Sequence, residues 1–213
     1  MTSVAVIDYG MGNLRSVCKA IEHVAPGADV RLANTPVDVS RADRVVFPGQ
    51  GAIAGCIDAL DRSGMRAALL DSMHVKPFLG ICLGLEALYK SSEEGGGTPC
   101  LDVLPGAVRR FDASATGPSH DLKIPHMGWN QVHQERAHPL WRGIAQDTRF
   151  YFVHSYYAET TDRAFVAGAT DYGVRFTSAA ARENIFAVQF HPEKSQRAGL
   201  QLLANFVGWD GKA

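Results

Sequence analysis

Apolar runs alternate with helical stripes through the first ninety residues. Residues 4–8 form an apolar run closed by Tyr9-Gly10-Met11-Gly12, a buried strand followed by a turn. Leu14, Val17, Cys18, Ile21 and Val24 then recur at helical spacing, with Asn13 placed to cap the helix and Pro26-Gly27 to stop it. Residues 29–33 and 44–47 read as strands, 53–60 and 65–73 as helices, 75–79 as a strand and 83–90 as a helix. This alternation predicts a mostly parallel sheet covered by helices. The character changes after Glu93-Glu94-Gly95-Gly96-Gly97. Strand patterns then dominate at 106–111, 130–133, 150–158, 165–170, 174–178 and 185–190, with Arg182-Glu183-Asn184 as a hairpin turn. A last helix over 198–207 places Leu200, Leu203, Ala204 and Val207 on one face. No repeat or long polar linker divides the chain. The expectation is an α/β fold, a single three-layer domain over residues 1–213 with a mixed, largely parallel sheet flanked by helices.

Composition narrows the function classes. A chain of 213 residues can bury a full core. Its net charge of −1 argues against a general nucleic-acid or anionic-membrane surface. No apolar run approaches the ~20 residues of a membrane span. Met1-Thr-Ser-Val lacks the basic region and hydrophobic core of a signal peptide, so a cytoplasmic location is expected. Cys18, Cys56, Cys82 and Cys100 form no CxxC pair and suggest neither a zinc site nor a disulfide framework. Cys18 and Cys56 fit apolar stripes and read as core. The histidines lack ligand spacing, and His120 and His126 read as surface residues. No metal or organic cofactor is implied.

Candidate chemistry lies in three short motifs. GICLG at 80–84 places Cys82 between two glycines, after a strand and before a helical pattern. A strand–nucleophile–helix elbow holds its side chain strained and exposed, where bulky neighbours would clash. FHPE at 190–193 supplies His191 and Glu193, which share one side of an extended segment. A nucleophile, a base and a group orienting the base are the minimal kit for acyl transfer. The helix start and a neighbouring His191 are expected to lower the thiol pKa from about 8.5. The tetrahedral intermediate needs backbone N–H donors. One comes from Leu83, and a second from the turn FPGQGA at 47–52, after the strand 44–47. Taken alone, each motif has a plainer reading: a buried structural cysteine, a solvated surface pair, an ordinary turn. Together, in workable order beside strand-like runs, they point to catalysis.

The motifs PGQG, GICLG and HPE resemble those of the class I glutamine amidotransferases, the triad glutaminases, in order and approximate spacing. VIDYGMGNLRSV (6–17), KIPHMGWN (123–130), YFVHSYY (151–157) and HPEKSQRAGLQLLANF (191–206) resemble the branch that supplies ammonia to imidazole glycerol phosphate synthase in histidine biosynthesis. The resemblance spans essentially the whole chain. It implies that Cys82 attacks the amide carbon of glutamine while His191, oriented by Glu193, moves the proton. Ammonia leaves for a synthase (cyclase) subunit with a (β/α)8 barrel, and water hydrolyses the γ-glutamyl thioester.

The resemblance also implies an oxyanion site at Gly49, Gln50 and Leu83, and glutamine contacts at Gly51, Glu86, Ser155 and Tyr156. It turns Met127, Trp129, Asn130 and Lys194 toward the partner. Core packing remains open for Met127 and Trp129, a solvated lysine for Lys194, and a strand edge for Ser155-Tyr156. Two positions depart from the family pattern: Glu86 stands where Gln is usual, and Gln50 where many relatives carry Val. A carboxylate at 86 accepts hydrogen bonds but donates none unless protonated, and its charge opposes thiolate formation. Weaker or altered glutamine binding is expected. Alternatives are a glutaminase serving a different synthase, a stand-alone γ-glutamyl hydrolase or cysteine peptidase, and a non-catalytic subunit on the same fold.

Overall fold

The computed structural model describes residues 1–10, 12–113 and 122–212. The parallel half runs β1 (Ser3–Ile7), α1 (Leu14–Val24), β2 (Asp29–Ala33), α2 (Pro36–Arg41), β3 (Arg44–Gly49), α3 (Ile53–Ser63), α4 (Met65–Ser72), β4 (Phe78–Cys82) and α5 (Leu83–Glu86). Two short strands follow, β5 (Ser91–Ser92) and β6 (Thr98–Pro99). The later half contains β7 (Gly106–Arg110), β8 (His126–Gln131), β9 (His133–Gln134), β10 (Arg149–His154), β11 (Tyr156–Thr160), β12 (Val166–Tyr172), β13 (Val174–Arg182), β14 (Ile185–Val188) and α6 (Gln196–Gly208).

The main sheet has the order β2-β1-β3-β4-β14-β13-β11-β7-β5-β6. From β2 to β14 every neighbour is parallel, and beyond β14 the β13, β11 and β7 pairings are antiparallel. Strand alternation sends side chains to two cores. Val4 and Val6 join Val17 and Ile21 of α1 and Leu203 and Phe206 of α6. Ala5 and Ile7 join Val39 of α2, Leu60 of α3 and Leu69 of α4. The result is the expected α/β arrangement, helix–sheet–helix, with a mixed, largely parallel sheet. Each fully buried Ile or Leu in these layers contributes about 2 kcal/mol from apolar burial.

Several boundaries differ from the sequence reading. Helix α2 was not anticipated, although Thr35-Pro36-Val37-Asp38 encodes its start: Thr35 accepts from the Asp38 N–H, Asp38 answers the Thr35 N–H, and Pro36 occupies the first turn. The strand expected at 75–79 begins at Phe78, and the helix expected over 83–90 stops at Glu86. There the chain folds back, and Leu88 O accepts from both Val103 N–H and Leu104 N–H. The strand expected at 150–158 breaks at Ser155 into β10 and β11, which join different sheets. The strand expected at 130–133 begins at His126 and pairs with β10 in a separate two-stranded ribbon. His126 is buried, 3% exposed, rather than on the surface. His120 lies outside the described residues.

Candidate active site

The parallel strand ends β3 and β4 place the elbow. Gly49 lies opposite Cys82 in register. Cys82 adopts φ 55° and ψ −110°, outside the regions that L-residues favour, at the junction between β4 and α5. The turn closes only because Gly84 carries no side chain: a Cβ there would sit 1.9 Å from Phe47 O. A Cβ on Gly49 would meet Tyr9 Oη at 2.5 Å and Leu83 Cβ at 2.7 Å. The strand end 47–49 and the elbow are therefore packed at backbone distance.

The strain is as expected, but the exposure is not. Cys82 is only 7% exposed. Its thiol pKa is raised rather than lowered. Burial contributes most, followed by the charges of Glu86 and Glu193, against bonds from the Leu83 amide and Gln189. A four-residue helix and one amide donor do not outweigh desolvation and two carboxyls.

His191 and Glu193 meet, though not on an extended segment. Pro192–Lys194 form a 3-10 turn, and this turn brings Glu193 Oε1 to 2.8 Å from His191 Nδ1. The pair is buried, with side chains 3% and 2% exposed. A carboxylate only accepts, so Nδ1 carries the proton and Nε2 is a free acceptor in the neutral ring. Nε2 is buried with no partner among the described residues. The backbone is held firmly: His191 N–H donates to Tyr151 O at 2.9 Å, and Ser195 Oγ donates to His191 O at 2.6 Å while accepting from Tyr151 N–H at 3.0 Å.

One cavity of about 460 Å³ collects most of the sequence candidates. Gln50, Gly51, Cys82, Leu83, Glu86, Ser155, Tyr156, His191 and Lys194 all line it. Glu193 stands behind His191. Three further polar groups escaped the sequence reading. Glu94 lines the cavity, and its Oε2 accepts from Ile53 N–H at 2.8 Å, closing the start of α3 just after the PGQG turn. Gln189, fully buried, donates from Nε2 to Glu86 Oε1 at 2.7 Å and toward Cys82 Sγ at 3.9 Å. Its signal was a lone polar residue in the apolar run 185–190. His154 also lines the cavity. Glu86 itself is 4% exposed, and burial first, then Glu94, push its carboxyl up to about 8 against the Gln189 bond. At neutral pH it is mostly protonated and able to donate, which changes the expectation of a fixed negative charge there.

The ribbon β8/β10 borders this cavity through Val153 and His154. Its inward histidines form a directed chain. Tyr156 O accepts from His154 Nδ1 at 2.6 Å, so His154 Nε2 must accept from His126 Nδ1 at 2.8 Å, and His126 Nε2 from Asn130 Nδ2 at 3.3 Å. Burial pushes both rings down, His154 to about 3 and His126 to about 4, which keeps them neutral. The opposite face carries Met127, 62% exposed, and Trp129, 44% exposed, with Trp129 edge-on to Tyr151. Neither is packed in the core. Asn130 faces the other way, also donating to Asp171 O at 3.0 Å.

Among the described residues, no group of three or more His, Cys, Asp or Glu side chains is arranged to hold a metal ion. No helix there is long and apolar enough to cross a membrane.

A strained cysteine over a sheet's carboxyl edge, sharing one cavity with the histidine of a buried His–Glu pair, is the arrangement of an acyl-transfer site. The family model described as glutamine amidotransferase class-I matches residues 5–208, and the chain belongs to that family. Over 211 residues it is 58% identical to imidazole glycerol phosphate synthase subunit HisH of Nitrosococcus oceani, covering 99% of each chain. It is equally 58% identical over 211 residues to the protein of that name from Nitrosospira multiformis, covering 98% of this chain and 99% of the other. Within its family the chain groups with these HisH subunits. The structure of PurLQS from Thermotoga maritima shares the fold, with a TM-score of 0.73 and 16% identity over 97% of this chain and 98% of that one.

Proposed function

We propose that residues 1–213 act as one amidotransferase domain, in the cytoplasm, releasing ammonia from glutamine for a synthase partner that makes imidazole glycerol phosphate in histidine biosynthesis. The observation that carries the chemistry is the free, buried Nε2 of His191 in the cavity that holds Cys82. A raised thiol pKa makes the base essential: the proton leaves Cys82 for His191 as sulfur attacks the amide carbon, instead of a preformed thiolate waiting. Glu193 stabilises the resulting imidazolium. The oxyanion is met by the N–H groups of Leu83 and the Gly49–Gln50 segment. His191 then protonates the departing nitrogen, the C–N bond breaks, and ammonia leaves. Water, deprotonated by His191, adds to the γ-glutamyl thioester and expels the Cys82 sulfur, which takes the proton back from His191 as glutamate is released.

Glutamine is held by Gly51, Ser155, Tyr156, Glu86 and Glu94; the Glu94 carboxylate suits an ammonium group and the protonated Glu86 can donate to a carbonyl or carboxylate oxygen. Met127 and Trp129, with Lys194 at the rim and Asn130 bracing the ribbon, face the partner, a (β/α)8 barrel. Exposed Trp and Met in an aromatic-backed patch beside an active site are typical interface anchors.

The test is glutamate release from glutamine by this chain, alone and with an imidazole glycerol phosphate synthase barrel subunit plus its nucleotide ligand. Low activity alone and a large rise with both additions is the expected result. High activity indifferent to the partner would replace this reading with a stand-alone hydrolase.

A further inference from the structure

Gln189 is the group near the sulfur that the proposed mechanism leaves unused. It follows the last ladder residue of β14, and its backbone N–H is tied to Ser178 O at 2.9 Å, so its position is fixed by the sheet. The side chain is fully buried. Its carboxamide nitrogen has two N–H groups, and two acceptors face it: Glu86 Oε1 at 2.7 Å and Cys82 Sγ at 3.9 Å. Its Oε1 has no partner among the described residues, a cost the donated bonds must offset.

We propose that Gln189 is a positioning residue for the nucleophile, donating one N–H to the Cys82 sulfur and the other to Glu86, so that it stabilises negative charge as it develops on sulfur and couples it to Glu86. This rests on the reading of Cys82 as nucleophile. The charges around the sulfur make such a donor necessary. Glu193 on the 3-10 turn opposes a negative sulfur, Glu86 on α5 does so once it loses its proton near pH 8, and the Tyr9 phenol lies within electrostatic reach. Around Glu86 stand Glu94, Cys56 of α3 and Cys100, none of them cationic. Against these, the favourable groups are the Leu83 amide, the Gln189 amide and the His191 ring that takes the proton. A donor to the charged form lowers a pKa, and a like charge raises it. Gln189 and Glu86 therefore act on Cys82 in opposite directions while bonded to each other.

The test is the pH profile of Cys82 alkylation by iodoacetamide in the full chain, in which the thiolate displaces iodide. The site is located by peptide mass spectrometry, so the readout does not depend on glutamine turnover. Gln189→Leu should move the midpoint up by about one pH unit and slow labelling about ten-fold at pH 7. Glu86→Gln should move it down. The double variant should sit above Glu86→Gln alone, because the donor acts on sulfur directly. An unchanged profile in Gln189→Leu, or a double variant matching Glu86→Gln, overturns the proposal. If Gln189→Leu does not fold, the unaltered protein serves: the Gln189 side-chain amide resonances should shift when Cys82 is carbamidomethylated and should titrate with Glu86, and static resonances overturn it. Labelling spread evenly over Cys18, Cys56, Cys82 and Cys100 would instead remove the nucleophile reading beneath it.

Discussion

The elbow strand and the ribbon beside it solve opposite problems. Strand β4 is buried at every position and ends in a residue held at positive φ. Ribbon strand β8 turns His126 inward and leaves the large apolar Met127 and Trp129 outside. In the first, neighbours on all sides over-determine a strained backbone, as reactive geometry requires. In the second, the usual inside–outside order is inverted: two neutral histidines fill the interior and the apolar side chains await cover. Both border one cavity. The chemistry is therefore built by complete burial on one wall and incomplete burial on the other.

The sharpest break in that comparison is at the elbow itself. Cys82→Ala should lower glutamine hydrolysis by about three orders of magnitude or more while circular dichroism and melting stay near the parent, since a methyl replaces a thiol. Gly84→Ala tests the packing instead. A Cβ 1.9 Å from Phe47 O cannot be absorbed, and chemical denaturation should show a loss of roughly 3 kcal/mol or more together with activity. On the ribbon, Trp129→Ala should leave the melting temperature unchanged but weaken association with the proposed synthase partner about 30-fold by calorimetry. Equal binding by variant and parent would move the interface elsewhere.

The walls also separate by pH. Burial raises the Glu86 carboxyl from its ordinary 4.5 to about 8, so the folded chain keeps a proton that the unfolded chain releases. Stability is thus lost as pH rises from about 4.5 to about 8. Glu86→Gln removes that loss, and its melting temperature should exceed the parent's more at pH 8 than at pH 5. Smallest of all is Gly128→Ala in the ribbon. Nothing lies within 4 Å of the added Cβ, so only the cost of φ +135° remains, about 1 kcal/mol by denaturation.

Local order explains how far the sequence reached. β1 and β3 were legible as short apolar runs buried on both sides, and α1 because its periodic apolar positions Leu14, Val17 and Ile21 are the buried ones. The elbow was legible because two glycines bracket the cysteine. α2 was missed as a six-residue helix with a single buried side chain, Val39, although its cap was written in Thr35 and Asp38. The β10–β11 break at Ser155 was missed because both strands continue the same alternating pattern while joining different sheets.

Glycines, spacing and periodicity are properties of short segments, so the α/β alternation and the cysteine, histidine and glutamate of the site are legible in the chain. The remaining features arise from folding. It placed Gln189 between Cys82 and Glu86 across more than a hundred residues, brought Glu94 to the start of α3, and aligned the His154–His126 chain. It also reversed the expected direction of the Cys82 thiol pKa. The physical reason is that desolvation and charge proximity depend on what surrounds an atom in space, and no segment of chain carries that information alone.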